Sequence, residues 1–202
     1  GGPGTGKTTT INTIIRMFDV FKMKVLLAAP TGRAAKRMSE ATRRSAKTIH
    51  RLLEFGFVEG EGLKFGRGEE KPLEGDVIII DEASMIDVLL MYNLTKAIKP
   101  GTRLILVGDV DQLPSVGPGN VLKDIIDSGV VEVVELKKIF RQARQSMIVV
   151  NAHRVNKGEF PVINNNGSDF FFMEEPEPEK IKDTIMQVVS ERLPRFLECD
   201  AV

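Results

Sequence analysis

The chain has 202 residues, 28 Lys plus Arg against 28 Asp plus Glu, and 42% hydrophobic residues, which suits one domain of ordinary size with a real core. Zero net charge does not advertise nucleic acid, no apolar run approaches bilayer length, and the single cysteine, Cys199, excludes an internal disulfide or a cysteine metal cluster. A reducing, cytoplasmic setting is the default expectation.

The first ten residues read GGPGTGKTTT, and Gly1-x-x-x-x-Gly6-Lys7-Thr8 has Walker A spacing. In such a loop backbone N–H groups cradle a di- or triphosphate and the lysine reaches its terminal phosphates. Gly2, Gly4, Thr5, Gly6, Lys7, Thr8 and Thr9 are therefore the expected ATP contacts, with Thr8 also holding Mg²⁺. Ile11, Ile14, Ile15, Phe18 and Phe21 recur at helical spacing, so the loop opens an amphipathic helix whose N-terminus faces the phosphates. A loop of this kind hangs from a buried strand, and none precedes Gly1. The expectation is a piece of a longer protein, with the strand at residues 104–107 left with one free edge or an edge filled by another segment, and with residues 1–6 poorly held.

Apolar runs at residues 25–29, 77–80, 104–107 and 130–134 read as strands, the middle two so continuously aliphatic that both faces must be covered. Between them Ala34, Ala35, Met38 and Ala41 share a helical face. Val88, Leu89, Met91, Tyr92, Leu94 and Ile98 form another, closed by Pro100-Gly101, and Val121, Leu122, Ile125 and Ile126 a third. This alternation predicts an α/β fold, a mostly parallel sheet with helices on both faces. Residues 55–75 interrupt it with six glycines among Phe55, Phe57, Val58, Leu63, Lys64 and Phe65, a pattern that fits a β-hairpin insertion or a long loop. A helix over about 147–156, a polar turn at 164–167, a last strand at Phe170-Phe171-Phe172 and a helix over about 179–192 complete the reading.

The carboxylates Asp81 and Glu82 follow four aliphatic residues, at the end of a buried strand where open α/β sheets bind ligands. This is a Walker B arrangement: Asp81 can hold Mg²⁺ and Glu82 can polarise the attacking water. The run LILVGDVDQLPSVGPGN carries Gln112, whose neutral amide suits sensing of the γ-phosphate, while Asp109, Asp111, the prolines and the glycines are equally compatible with capping and shaping a turn. Residues 31–51 hold seven basic side chains (Arg33, Lys36, Arg37, Arg43, Arg44, Lys47, Arg51) against the single acid Glu40. Such a stretch fits either a phosphate backbone or a solvated helix face. Pro30, Thr31, Gly32 and Arg33 sit between a strand and a helix, where backbone N–H groups and the Thr31 hydroxyl can grip a DNA phosphate.

Taken together, GGPGTGKTT, APTGRAAKRM, KTIHRLL, VIIIDEASM, VGDVDQLPSVGPG and IFRQ resemble superfamily 1 DNA helicases, specifically the RecD-like group named for the α-subunit of exodeoxyribonuclease V. The match extends to about Gly158. It implies a RecA-like P-loop NTPase using ATP and Mg²⁺ to move 5′ to 3′ on single-stranded DNA and unwind forked DNA in repair or recombination, alone or with nuclease-complex subunits, and without a membrane role. It implies that Arg141, in IFRQ, stabilises charge on the leaving phosphate in the manner of an arginine finger, a role the motif match favours over that of a surface arginine, and that His50 contacts DNA, though it could equally pack or cap. His153 reads as structural. The hairpin matches the position of the family's strand-separating pin, with Phe57 or Phe65 as the stacking residue. Residues 1–175 are then the first of two motor domains, and 176–202 a terminal helix and linker. The alternatives are the helicase half of a conjugative relaxase and a nucleic-acid-binding module without turnover of its own.

Overall fold

The computed structural model describes residues 1–58, 60, 62–138, 140, 145–163 and 169–197. They form two compact units, Gly1–Pro161 and Val162–Val202.

In the first unit the phosphate loop leads into α1 (Lys7–Val20), followed by β1 (Val25–Ala29), α2 (Gly32–Thr42), β2 (Ala46–Thr48), α3 (Ile49–Leu52), the hairpin β3 (Phe55–Val58) and β4 (Gly62–Phe65), β5 (Val77–Ile80), α4 (Val88–Lys96), β6 (Arg103–Leu106), α5 (Val121–Asp127) and α6 (Met147–Asn156). The main sheet has four strands in the order β2-β1-β5-β6, and every pairing in it is parallel. β5 is the reason for the architecture. Its sequence VIII is β-branched throughout and wholly buried, as a central parallel strand covered on both sides requires. Val77 and Ile79 pack with Leu27 against Ile11, Ile15 and Phe18 of α1 and Met38 of α2. Ile78 and Ile80 face the other way, toward Ile49, Leu53, Leu90, Leu94 and Leu122. The expected α/β fold, mostly parallel with helices on both faces, is what the chain adopts.

Several elements differ from expectation. β2 is an unforeseen edge strand, three residues long with the charged Lys47 at its centre, too short for periodicity to register. Residues 130–134 make no strand, and Val130, Val131, Val133 and Val134 are exposed. Among the described residues the run joins neither sheet, Val130 N donating instead to Ser128 Oγ at 3.3 Å, and without a paired strand a run of valines is only a stretch of chain. Among the described residues β6 pairs on one side alone, with β5, the free edge anticipated for it. The phosphate loop, by contrast, is tied down. Thr5 Oγ1 donates to the Gly2 carbonyl at 2.8 Å, Gly1 N to the Gly108 carbonyl at 3.0 Å and Phe140 N to the Gly4 carbonyl at 3.2 Å.

The hairpin is antiparallel, Phe55 opposite Phe65 and Phe57 opposite Leu63. Phe65 lies at its base, its ring 4.6 Å from that of Phe55, so it is not a tip residue. Phe57 and Leu63, nearer the turn, are exposed.

The second unit contains α7 (Pro178–Gln187), continued by a π-helical turn at Val188–Arg192 and by α8 (Leu193–Leu197), where one helix over about 179–192 was expected. Phe170-Phe171-Phe172 is not a strand; the Phe171 ring instead meets Phe196 edge-on at 5.6 Å. The polar turn expected at 164–167 lies outside the described residues.

Candidate functional site

The strands of the main sheet run parallel, so the segments leaving their C-terminal ends gather at one end of the sheet: Pro30 to Arg33 after β1, His50 after β2, Asp81 and Glu82 after β5, and Gly108 to Gln112 after β6. This is where α/β sheets bind ligands. The phosphate loop reaches the same place through the bond from Gly1 N to Gly108.

Within the loop, Gly4 and Gly6 have φ of 73° and 87°, the left-handed region where a side chain costs about 1–2 kcal/mol. Gly6 is the N-cap of α1, so the helix's positive end opens at the loop. Lys7 Nζ donates to the carbonyls of Gly1 at 2.7 Å and Gly2 at 3.1 Å, folded over the cradle it is expected to serve. Thr8 and Thr9 lie exposed in the first helical turn. Thr5 is buried, and its hydroxyl braces the loop from inside.

Asp81 Oδ1 accepts from the Glu82 N–H at 2.9 Å. Burial raises the Asp81 carboxyl above its ordinary range, partly offset by that bond and by Lys7. Glu82 is also raised, first by burial and then by repulsion from Asp81, with Lys7 and Arg37 pulling the other way. The residue has φ 53°, a left-handed conformation that is uncommon outside glycine and clusters at functional sites. Its Oε2 is buried and has no hydrogen-bond partner among the described residues, as is Ser84 Oγ. A raised, strained and unpartnered carboxylate is a poor structural element and a good acceptor for a proton. The donor set of two left-handed glycines, a lysine, a helix N-terminus and adjacent carboxylates fits a nucleotide phosphate with a divalent cation, Thr8 and Asp81 being the residues that would hold the metal.

Gln112 lies in the exposed turn opened by Asp109, its N–H donating to the Asp109 carbonyl at 3.3 Å. Asp109 itself is 2% exposed, and its Oδ1 accepts from Asp111 N at 3.3 Å, bracing the turn rather than capping the next helix, whose N-cap is Asn120. Gly108 sits against the Glu82 turn, where a Cβ would come within 3.2 Å of the backbone nitrogens of Ala83 and Ser84.

Thr31 caps α2, its Oγ1 accepting from Ala34 N at 3.2 Å, which leaves the hydroxyl proton free to donate elsewhere. No atom lies within 4 Å of where a Cβ on Gly32 would stand, so packing does not demand glycine there, and Arg33 is exposed beside it. All seven basic residues of the stretch are exposed, Arg44 pairing with Asp19 and Lys36 with Glu40. His50 is exposed and meets the rings of Phe55 at 5.5 Å and Phe65 at 6.0 Å, joining α3 to the base of the hairpin. Arg141 lies outside the described residues.

Sequence reasoning missed what covers the loop. Phe140 lies over Gly6, where a Cβ would come 2.5 Å from its ring, and the Leu136 carbonyl similarly crowds Gly1. The phenylalanine stands beside the arginine in IFRQ, three residues beyond the Glu135-Leu136-Lys137 stretch that meets Gly1.

An α/β P-loop nucleoside-triphosphatase core is what this sheet and site define. Residues 1–118 match the AAA-domain family, and the chain belongs to it. Its sequence is similar to an ATP-dependent RecD2 DNA helicase of Deinococcus radiodurans, 40% identical over 161 residues that make up 80% of this chain and 22% of that protein. It is similar also to the RecBCD enzyme subunit RecD of Mycobacterium tuberculosis, 37% identical over 186 residues, 79% of this chain and 32% of that one. The chain thus spans about a fifth to a third of these relatives. Among solved structures, the Pif1 helicase from Candida albicans aligns with a TM-score of 0.53 and 28% identity over 80% of this chain and 40% of that chain. The RecD-like resemblance of the motifs therefore stands. No helix among the described residues is long and apolar enough to cross a membrane.

Proposed function

We propose that this chain is the ATP-hydrolysing motor domain of a RecD-like DNA helicase, coupling Mg-ATP turnover to 5′ to 3′ movement along single-stranded DNA and to unwinding of forked DNA in repair or recombination. The observation that supports it most is the half-buried, left-handed Glu82, whose buried Oε2 has no hydrogen-bond partner among the described residues, beside Asp81 and within the electrostatic reach of Lys7.

Lys7 and the loop amides bind the phosphates, and Thr8 and Asp81 hold the cation, which when bound neutralises phosphate charge. Glu82 takes the proton of the attacking water. Its raised affinity for protons suits that task. Gln112 reports the γ-phosphate, and Arg141 is the charge-stabilising arginine. Pro30 to Arg33, with the exposed basic residues of α2, grip the DNA backbone, and His50 lies beside that path. The exposed Phe57 stacks on the base pair at the fork. Nuclease-complex subunits are partners of the kind the RecD relatives suggest.

Glu82→Gln and Lys7→Ala in the full-length protein test the reading. Glu82→Gln keeps ATP affinity within about threefold and lowers turnover by at least about 10²-fold, whereas Lys7→Ala weakens nucleotide binding itself. Near-normal turnover in Glu82→Gln would remove the assigned base. Replacing residues 56–65 by a tight turn spares DNA-stimulated ATPase and impairs unwinding; equal loss of both would make the hairpin part of the fold alone.

A further inference from the structure

Helix α6 has no place in the reading above, yet it lies against the phosphate loop. His153 Nε2 stands 3.1 Å from the Pro3 carbonyl oxygen. A carbonyl only accepts, so the ring carries its proton on Nε2 and donates it. The same ring closes over Gly2, where a Cβ would come 2.8 Å from Cε1, 3.5 Å from Nε2 and 3.6 Å from Nδ1.

This contact accounts for a residue that nothing else explains. Position 2 is unspecified in the Walker A pattern, and Gly2 is not among the glycines with positive φ. Neither the motif nor the backbone conformation asks for glycine there; the imidazole does. α6 also presents its histidine from a fixed frame. Ser146 Oγ caps the helix by accepting from Val149 N at 3.2 Å, Asn151 is 3% exposed, and Arg154 ties the far end to Glu159 at 3.1 Å and to the Phe160 carbonyl at 2.8 Å.

We propose that His153 is a positioning residue of the nucleotide site, holding Gly2-Pro3 so that the Gly2 N–H and the N–H groups that follow Pro3, which has none itself, are ordered before the phosphates arrive. This rests on the ATP-site reading above. Glycine-rich segments lose the most conformational freedom on ordering, and ordering done in advance is recovered as affinity. A single neutral hydrogen bond of ordinary strength corresponds to about a three- to tenfold change in affinity.

The test is a double-mutant cycle in the full-length protein, read by the Kd for a fluorescent ATP analogue with Mg²⁺ and by KM and kcat of ATP hydrolysis. His153→Ala raises Kd and KM about three- to tenfold with a much smaller change in kcat. His153→Gln, whose amide N–H can reach the same carbonyl, recovers most of the loss. Gly2→Ala weakens binding while His153 is present, and adding His153→Ala to it costs little more, because the clash and the bond involve the same ring. Wild-type affinity in His153→Ala, or effects of Gly2→Ala and His153→Ala that simply multiply, would overturn the assignment. Should His153→Ala fail to fold, Gly2→Ala and His153→Gln still decide it: wild-type affinity in Gly2→Ala, or no better binding in His153→Gln than in Gly2→Ala, overturns it. Lys7→Ala separates the two levels. If it too leaves Kd unchanged, the ATP-site reading falls, and this proposal with it.

Discussion

Two glycine-rich loops meet at the same end of the sheet, and their glycines face different neighbours. In residues 1–6, Gly4 and Gly6 supply left-handed backbone that curls the loop into the cradle proposed for a phosphate. In the loop after β6, Gly117 makes room for a neighbour, and Gly119, at φ 93°, does that and supplies left-handed backbone as well. A Cβ on Gly117 would come 2.2 Å from the Asp87 carboxylate, and one on Gly119 would come 2.4 Å from Val88. That loop is locked onto the start of α4, with the Pro118 carbonyl accepting from Val88 N at 3.0 Å and Asp87 capping Leu90 N at 2.7 Å. Gly6 and Gly119 share a left-handed φ and a crowded Cβ position, Gly6 against Phe140 and Gly119 against Val88; the loops differ in what those neighbours belong to.

The contrast is sharpest in nucleotide binding. Gly6→Ala should weaken ATP binding about tenfold, from left-handed strain together with the contact to Phe140, and should lower stability by about as much as the second loop's variant does. Titration of a fluorescent ATP analogue alongside thermal melting checks both halves. Gly119→Ala, at φ 93°, should cost about 2–3 kcal/mol of stability but leave the affinity of the folded protein nearly unchanged. If the two variants lose affinity equally, the second loop belongs to the binding site after all.

A smaller effect concerns Glu82, in the turn that Gly108 abuts. Burial and Asp81 raise its folded pKa, so the folded state holds the proton more tightly than the unfolded chain does, and ionisation works against folding. The cost is absent below the unfolded pKa near 4.5 and complete once pH exceeds the folded value. Glu82→Gln should therefore melt about 2 °C higher than the parent at neutral pH, with the advantage shrinking on acidification toward pH 4.5. An advantage that grows in acid would contradict the raised pKa. Smallest is Arg33→Ala, which should weaken single-stranded DNA binding about two- to fivefold, equally for different sequences, and reduce the salt dependence by about one phosphate contact. A loss confined to some sequences would move Arg33 from backbone grip to base reading.

Much was legible in the sequence because it depends on local order. Residues 77–80 are β-branched and apolar throughout, and a run of that kind has little alternative to a buried strand; β1 and β5 fall where their apolar runs lie, and β6 begins one residue early. Lys7, Asp81 and Glu82 were legible for the same reason, since spacing along a loop or at a strand's end sets where their side chains go. Residues 130–134 are as apolar as a strand needs, yet a strand exists only if a partner offers its hydrogen bonds, and partnership is not written within five residues. The same holds for His153. Its place in the sequence lies 150 residues from Pro3, and no periodicity relates them. Only the folding of α6 back onto the loop brings the imidazole to Gly2, and a contact across that separation is decided by how the layers pack.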